Sequence, residues 1–261
     1  NNKRSISIFG VTGSVGKATQ AVLKNHLDDF EVDTIVAKSN FKDLIKSAKL
    51  LHPKLVVIAE SCFYEDIKKS LNKYDIEVAS GEKAILEASK RKVDIFIAAI
   101  MGYSGLYTTY SCIPYVKSIA LANKESLVCA GSLIMDAAKI YNCKIIPIDS
   151  EHNTLFQLLD ESSQSYLKKI IITASGGPFL NLQKEDLEHV TPENAIKHPI
   201  WKMGAKISVD SATLMNKGLE LIEAAYLFNI DTSKIDILIH PQSIIHAFIE
   251  YIDGIMKAGM Y

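Results

Sequence analysis

The feature that most restricts the fold of this chain is the alternation, through its first half, of short β-branched runs with stretches of helical spacing. Residues 5–9, 32–36, 55–58, 76–79, 95–98 and 118–121 read as strands, and 17–27, 42–51, 65–72 and 82–90 carry apolar residues at helical period. Strands joined through helices pair in parallel, because the crossover carries the helix back over the face of the sheet. The pattern predicts an α/β chain that opens with a Rossmann-like, doubly wound parallel sheet. A seventh run, 144–148, ends the alternation. Beyond it come a strand at 169–173, a glycine turn at Ser175-Gly176-Gly177 and a polar stretch with a helix start at Thr191-Pro192-Glu193. The loop 198–204 follows, then a run at 207–209 leading into a helix from about Ser211 to Phe228, and a strand at 235–239. This change of texture predicts a boundary near residue 149, between a nucleotide-binding domain (1–149) and an α+β catalytic domain (150–261).

Bulk composition excludes several functions. With 261 residues, a formal net charge of -1 and 48% hydrophobic residues, the chain is an ordinary globular one with no basic excess for nucleic acid. No apolar run approaches the ~20 residues that span a bilayer. The start, Asn1-Asn2-Lys3-Arg4, leads straight into a strand and shows no signal or transit peptide. Cys62, Cys112, Cys129 and Cys143 form no CxxC and no zinc spacing, and read as reduced, mostly buried thiols of a cytoplasmic protein. A plastid-type protein without its transit peptide would look the same. With no initiator Met and a close at Gly259-Met260-Tyr261 that is neither helix nor polar tail, the sequence reads as truncated.

Gly10-Val11-Thr12-Gly13-Ser14-Val15-Gly16 lies between the first strand and the first helix. Its glycines permit a tight turn and close backbone approach, so that a pyrophosphate can meet the helix N-terminus; a plain packing turn is the alternative. The spacing is GxxGxxG rather than GxGxxG, so the strand–turn–helix context carries the reading. The second strand ends in Ala37-Lys38-Ser39-Asn40 with no acid for a ribose hydroxyl, and Asp33 lies too far back. A cation, a hydroxyl and an amide suit a 2′-phosphate, which favours NADP(H).

The chemical end centres on Asp149-Ser150-Glu151-His152-Asn153. On an extended chain residues i and i+2 point the same way, so Asp149 and Glu151 aim two carboxylates at one spot, a purpose that Mg²⁺ or Mn²⁺ supplies. The alternative is a polar loop opening a helix, with Ser150 or Asp149 as N-cap. Lys124, in Ala122-Asn123-Lys124-Glu125, follows a strand at the carboxyl edge of the sheet, where ligands of open α/β folds bind; a first-turn helix residue facing water is the other reading. Ser175-Gly176-Gly177 offers backbone N–H groups, and Ser211, Asn216 and Lys217 lie on or near a helix start, which together make either a phosphate site or a capped helix with a polar face. Glu220 is either a third carboxylate of the metal set or the ion-pair partner of Lys217 three residues before it. His198, Trp201 and Met203 suit a lid, with Trp201 equally suited to a core. His240 and His246 read as supporting or interface residues.

Taken together, GVTGSVG (10–16), LANKES (121–126), PIDSEHN (147–153), SGGPF (175–179), HPIWKMG (198–204), VDSATLMNKGLE (209–220) and HPQSIIH (240–246) resemble 1-deoxy-D-xylulose 5-phosphate reductoisomerases in order and spacing. The resemblance implies a homodimer that converts a sugar phosphate, 1-deoxy-D-xylulose 5-phosphate, to 2-C-methyl-D-erythritol 4-phosphate with NADPH and Mg²⁺ or Mn²⁺, Co²⁺ being a further metal. It implies Asp149, Glu151 and Glu220 as metal ligands and, together with Lys124, as the catalytic residues. Ser175, Ser211, Asn216 and Lys217 would hold the substrate phosphate with His198 nearby, Ser150 and Lys124 would touch substrate oxygens, and Trp201 and Met203 would belong to a flap. Thr12, Gly13, Ser14 and Val15 would meet the pyrophosphate, Lys38, Ser39 and Asn40 the 2′-phosphate, and Asn123, Lys124 and Glu125 the cofactor's other end. It also implies a C-terminal helical domain that lies beyond residue 261. Two rivals predict other signals: a semialdehyde dehydrogenase needs a nucleophilic Cys in a convincing elbow, which is missing, and an NADP-sensing module needs no metal.

Overall fold

The computed structural model describes residues 3–197 and 204–260. The chain divides into two compact units, Asn1–Ile146 and Pro147–Tyr261.

The first unit is built as the strand–helix alternation requires. Its elements are β1 (Arg4–Phe9), α1 (Ser14–Lys24), β2 (Phe30–Ala37), α2 (Phe41–Leu51), β3 (Leu55–Ile58), α3 (Tyr64–Leu71), β4 (Glu77–Ser80), α4 (Glu82–Ser89), β5 (Val93–Ala98), α5 (Ser104–Cys112), β6 (Val116–Leu121), α6 (Lys124–Ile140) and β7 (Lys144–Pro147). Among the described residues these strands form a seven-stranded sheet in the order β4-β3-β2-β1-β5-β6-β7. The pairings from β4 through β6 are all parallel. Because α1 to α3 carry the chain outward on one side of β1 and the later helices on the other, the order reverses between β1 and β5. Loops diverge at that point and leave a crevice at the carboxyl ends of the strands. Ile8, Phe9, Ile35, Val57, Phe96 and Ile119 are fully or almost fully buried, as strands covered on both faces must be. Helices α5 and α6 escape the sequence pattern. The first, SGLYTTYSC, has no apolar stripe, and the second is kinked at Ala130 (φ -145, ψ 33), which breaks its period.

The second unit consists of α7 (Ser150–Leu158), β8 (Leu167–Ala174), α8 (Pro192–Ala195), α9 (Ala205–Ala212), α10 (Met215–Phe228), β9 (Ile235–Ile239), β10 (Ile245–Tyr251) and β11 (Met256–Met260). Its sheet runs β11-β10-β8-β9, with β8–β9 parallel and the other two pairs antiparallel. Leu155 of α7 and Ala224 of α10 share one core with Ile170, Ile172, Ile235, Ala247 and Ile249 of the strands, so both helices are anchored to this sheet.

Two expectations change here. Residues 207–209 are helical, and the helix expected from Ser211 is two helices: Leu214 takes a left-handed conformation (φ 59) that ends α9 and starts α10. Thr213 helps stop α9 by bonding its hydroxyl back to the carbonyls of Val209 and Asp210. The hairpin β10–β11 was not anticipated, although Asp253-Gly254 is a strong hairpin signal. Gly254 has φ +86 and Tyr251 N–H bonds Ile255 O at 3.0 Å across the turn.

Candidate metal and phosphate site

In the first unit the sequence-selected residues gather at the carboxyl ends of the strands. Gly10 (φ +98) must lack a side chain, since a Cβ would lie 2.4 Å from Ala99 O in the loop after β5. Gly16 must too, because its Cβ would meet Gly10 O and Val11 O at 2.4 Å. These contacts hold the first turn of α1 against the end of β1. Gly13, with φ -77, occupies the N-cap of α1, and Gly13 and Ser14 are exposed while Thr12 and Val15 are half-buried. The loop thus offers backbone N–H groups at a helix N-terminus with no acidic residue in the first turn.

Lys38, Ser39 and Asn40 are exposed after β2, and Asn40 also caps α2 by accepting from Asp43 N–H at 3.1 Å. Asp33 is committed elsewhere: Arg91 grips it bidentately at 2.6 and 2.9 Å, which holds its carboxyl below the usual range although burial opposes ionisation. Asn123 is buried, caps α6 through Ser126 N–H at 2.8 Å, and donates to Ile100 O and Gly102 O at 2.8 and 2.9 Å. It therefore ties the loop after β6 to the loop after β5. Lys124 opens α6 and is buried at 8% exposure, so it is a first-turn residue that does not face water. Glu125 is half-buried beside Asn123.

In the second unit the chemistry collects where α7 and α10 begin. The strand geometry expected for Asp149 and Glu151 does not hold, because Glu151 already lies in the first turn of α7 and Asp149 stands at its N-cap. The alternative reading holds in position, since Asp149 is the N-cap residue of a helix that opens here, although its side chain makes no capping bond. Helical winding turns the two carboxylates together, and α10 brings the third. Ligand oxygens of Asp149, Glu151 and Glu220 all lie within 4.8 Å of one another. Such a set of hard oxygen donors fits Mg²⁺ or Mn²⁺.

Lys217 is buried in this cluster and donates to Glu151 Oε1 at 3.0 Å and to Glu220 Oε2. Ser150 Oγ donates to Glu151 Oε2 at 2.6 Å and Asn216 Nδ2 donates to Glu220 Oε1. Burial opposes the charge on Glu151, yet His246, whose Nδ1 lies 4.0 Å from Oε2, and the Lys217 ammonium hold its carboxyl below the ordinary value. Burial likewise opposes the Lys217 charge, and the two glutamates raise its pKa regardless.

Two neighbours were missed as site residues. His152 is fully buried on α7, its Nε2 bonding Glu220 O at 2.9 Å and its Nδ1 facing Glu223 at 3.5 Å and Asp149 at 3.8 Å. Burial lowers its pKa, but Glu223 and Asp149 override that and raise it to about 9. His152, Asp149 and Glu223 also bring ligand atoms within 4.8 Å of one another, a second set of metal-ligating type beside the three carboxylates. Glu223, 1% exposed, stands three residues beyond Glu220 on the same helical face, a spacing that marks it in the sequence.

Of the other expected phosphate residues, Ser175 lies in a glycine turn that meets Ser211. Ser175 follows β8, and a Cβ on Gly177 (φ +71) would lie 2.7 Å from Ser211 O, so the glycine turn sits directly against the end of α9. Ser211 thus belongs to the last turn of α9, while Asn216 and Lys217 occupy the first turn of α10. His240 N–H bonds Ala174 O at 2.7 Å and fixes the base of the turn. His198, Trp201 and Met203 lie outside the described residues. All four cysteines are free, and Cys62 and Cys129 are exposed rather than buried. Among the described residues no helix is long and apolar enough to cross a membrane.

Fold and site together define a Rossmann-type α/β protein whose second unit carries a carboxylate cluster suited to a hard divalent cation. The family model for 1-deoxy-D-xylulose 5-phosphate reductoisomerase matches residues 6–131, and that for the same enzyme's C-terminal domain matches residues 145–228. The reductoisomerase of Zymomonas mobilis is 47% identical over 255 residues, covering 98% of this chain and 66% of that protein. The structure of the Zymomonas mobilis enzyme in complex with NADPH superposes with a TM-score of 0.93 at 44% identity, covering 99% of this chain and 67% of the other. A reductoisomerase crystallised with NADPH, fosmidomycin and magnesium gives 0.92 at 37% identity, covering 98% and 66%. The chain belongs to the 1-deoxy-D-xylulose 5-phosphate reductoisomerase family, and it spans about two thirds of the length of these relatives.

Proposed function

We propose that this protein converts 1-deoxy-D-xylulose 5-phosphate to 2-C-methyl-D-erythritol 4-phosphate, using NADPH and a divalent cation, Mg²⁺ or Mn²⁺, with Co²⁺ as a further metal. The observation that carries the reading is the convergence of Asp149, Glu151 and Glu220 in one unit with Asn216 and Lys217 bonded to the same carboxylates. Membership of the family and relatives bound to NADPH and magnesium support it.

Residues 1–149 take the dinucleotide and 150–261 the metal and the substrate phosphate. Backbone N–H groups of Thr12, Gly13, Ser14 and Val15 receive the pyrophosphate at the α1 N-terminus. Lys38, Ser39 and Asn40 receive the 2′-phosphate, and Asn123, Lys124 and Glu125 shape the cofactor's far end. Asp149, Glu151 and Glu220 hold the cation. When bound, the cation polarises the vicinal oxygens of the ketose phosphate for carbon-skeleton rearrangement, and NADPH supplies the hydride that reduces the rearranged aldehyde. Ser150 orients Glu151 and lies within reach of substrate oxygens. Ser175, Ser211, Asn216 and Lys217 clamp the phosphate, and His198 and Trp201 also take part in binding the substrate. That remote clamp fixes the reacting carbons against the metal-binding carboxylates and provides orientation that the small substrate lacks by itself. A cytoplasmic homodimer is the assembly and location that go with this reading.

The deciding experiment follows NADPH oxidation on 1-deoxy-D-xylulose 5-phosphate with and without EDTA. Turnover that EDTA abolishes and Mg²⁺ restores is expected; metal-independent turnover, or none with metal present, refutes the reading. Asp149→Asn is expected to abolish turnover and leave NADPH affinity within about twofold, because Asp149 makes no side-chain bond that caps α7. Loss of both would assign Asp149 to folding instead.

A further inference from the structure

Each side-chain oxygen of Glu151 and Glu220 accepts a hydrogen bond. On Glu151, Oε1 accepts from Lys217 at 3.0 Å and Oε2 from Ser150 at 2.6 Å. On Glu220, Oε2 accepts from Lys217 and Oε1 from Asn216. Each of these oxygens keeps a further lone pair for a cation, so charge rather than occupancy decides which donor must leave. The donor that the incoming charge repels most is Lys217, an ammonium wedged between both carboxylates with its side chain only 5% exposed. Entry of the cation at Glu220 also competes with Asn216. These two displaced residues are the α10 members of the phosphate clamp in the reading above. They sit in the first turn of a 14-residue helix and are tethered there by flexible side chains, so their release needs no movement of the backbone.

The geometry points to an exchange: Lys217 is the resident counter-ion of the carboxylate cluster, and the divalent cation displaces it together with Asn216, which hands both side chains to the substrate phosphate. The inference rests on the proposed metal and phosphate roles of these residues and adds a coupling between them. Binding of cation and phosphate is then reciprocal, each tightening the other by the same factor, because either one alone leaves Lys217 contested. Without phosphate the cation must compete with the ammonium; without the cation the phosphate must extract the ammonium from two buried carboxylates.

Two measurements on the full chain test this. Mn²⁺ affinity is read from the electron paramagnetic resonance signal of the free ion, with and without inorganic phosphate. Phosphate is expected to tighten Mn²⁺ binding about fivefold or more, within the usual span of coupling energies. In Lys217→Met, Mn²⁺ is expected to bind more tightly than in the wild type without phosphate, and phosphate is expected to have no effect. The second measurement needs no variant: acylation of Lys217 by an amine-reactive ester, quantified by mass spectrometry, should rise at least severalfold on adding Mg²⁺ and fall again with phosphate. Mn²⁺ binding without any change in Lys217 acylation overturns the exchange while leaving the metal reading intact. So does a phosphate effect that persists in Lys217→Met. Failure of the wild type to bind Mn²⁺ at all refutes the metal reading on which the exchange rests.

Discussion

Gly177 offers the sharpest test of how the phosphate region is built. It has φ +71, and a methyl group at its Cβ position would lie 2.7 Å from Ser211 O, 3.0 Å from Ser211 C and 3.1 Å from Ala212 Cα. The obstacle is the backbone of the last turn of α9, which has no rotamer to change. Gly177→Ala therefore carries two costs: about 1–2 kcal/mol for a non-glycine residue in the left-handed region and about 1–3 kcal/mol for overpacking. Their sum, about 2–5 kcal/mol, is below the roughly 5–15 kcal/mol that holds a typical domain together. The variant should fold, with its urea midpoint lowered. The relief available is a shift of the Ser175-Gly176-Gly177 turn away from Ser211, and a misplacement near 1 Å in a positioning element can reduce turnover about a hundredfold. The expected result is a KM for 1-deoxy-D-xylulose 5-phosphate raised at least tenfold with Mn²⁺ affinity nearly unchanged. Gly218→Ala is the matched control, since it lies inside α10 with only Met215 Sδ near the new methyl, at 3.9 Å. It should raise stability by about 0.5–1 kcal/mol through helix propensity. A Gly177→Ala protein with unaltered midpoint and unaltered KM would refute the reasoning from turn geometry.

Other perturbations probe the frame. A methyl at Gly259 would come within 2.1 Å of Thr154 Cγ2, where β11 crosses α7. Gly259→Ala should cost about 2 kcal/mol, and Thr154→Ser, which removes that methyl and keeps the hydroxyl bond to Ser150 O at 2.8 Å, should recover about half of it; additive effects in a double-mutant cycle would disprove the contact. In the first unit Lys117 and the Ser5 backbone N–H lower the pKa of Asp94 from 3.8 to about 2. A carboxylate with a depressed folded pKa stabilises the fold above its unfolded value, and the contribution disappears as pH falls from 3.8 through about 2. After discounting for solvent screening it amounts to about 1 kcal/mol. The gap in unfolding free energy between the wild type and Asp94→Asn should thus close across that acid window, and a gap that stays constant would count against the assignment.

Much of the fold was legible because periodicity is a local property. Strands and helices of the first unit follow from which residues recur at spacing two and which at 3.6, and parallel pairing follows from the helices between them. Elements without a clean period were lost: α5 with its tyrosines and threonines, kinked α6, and the split of the long helix at Leu214, which depends on one backbone torsion. The hairpin β10–β11 has only Asp253-Gly254 as its local signal, with Gly254 at φ +86.

The site divides along the same line. Sequence alone determined which residue types are present and in what order: a glycine turn after the first strand, carboxylates at 149, 151 and 220, and an amide and an ammonium at 216 and 217. It did not determine how they meet. Asp149 and Glu151 converge through the first turn of α7 rather than by strand alternation, and Glu220 joins them because α7 and α10 pack on one face of the same sheet. Tertiary structure also decided that His152 and Glu223 brace the cluster and that Lys217 lies on the carboxylates. The physical reason is range. Propensity and period act over a few residues, whereas a charge cluster depends on distances between side chains some seventy positions apart, which only the packing of helices on a common core can set.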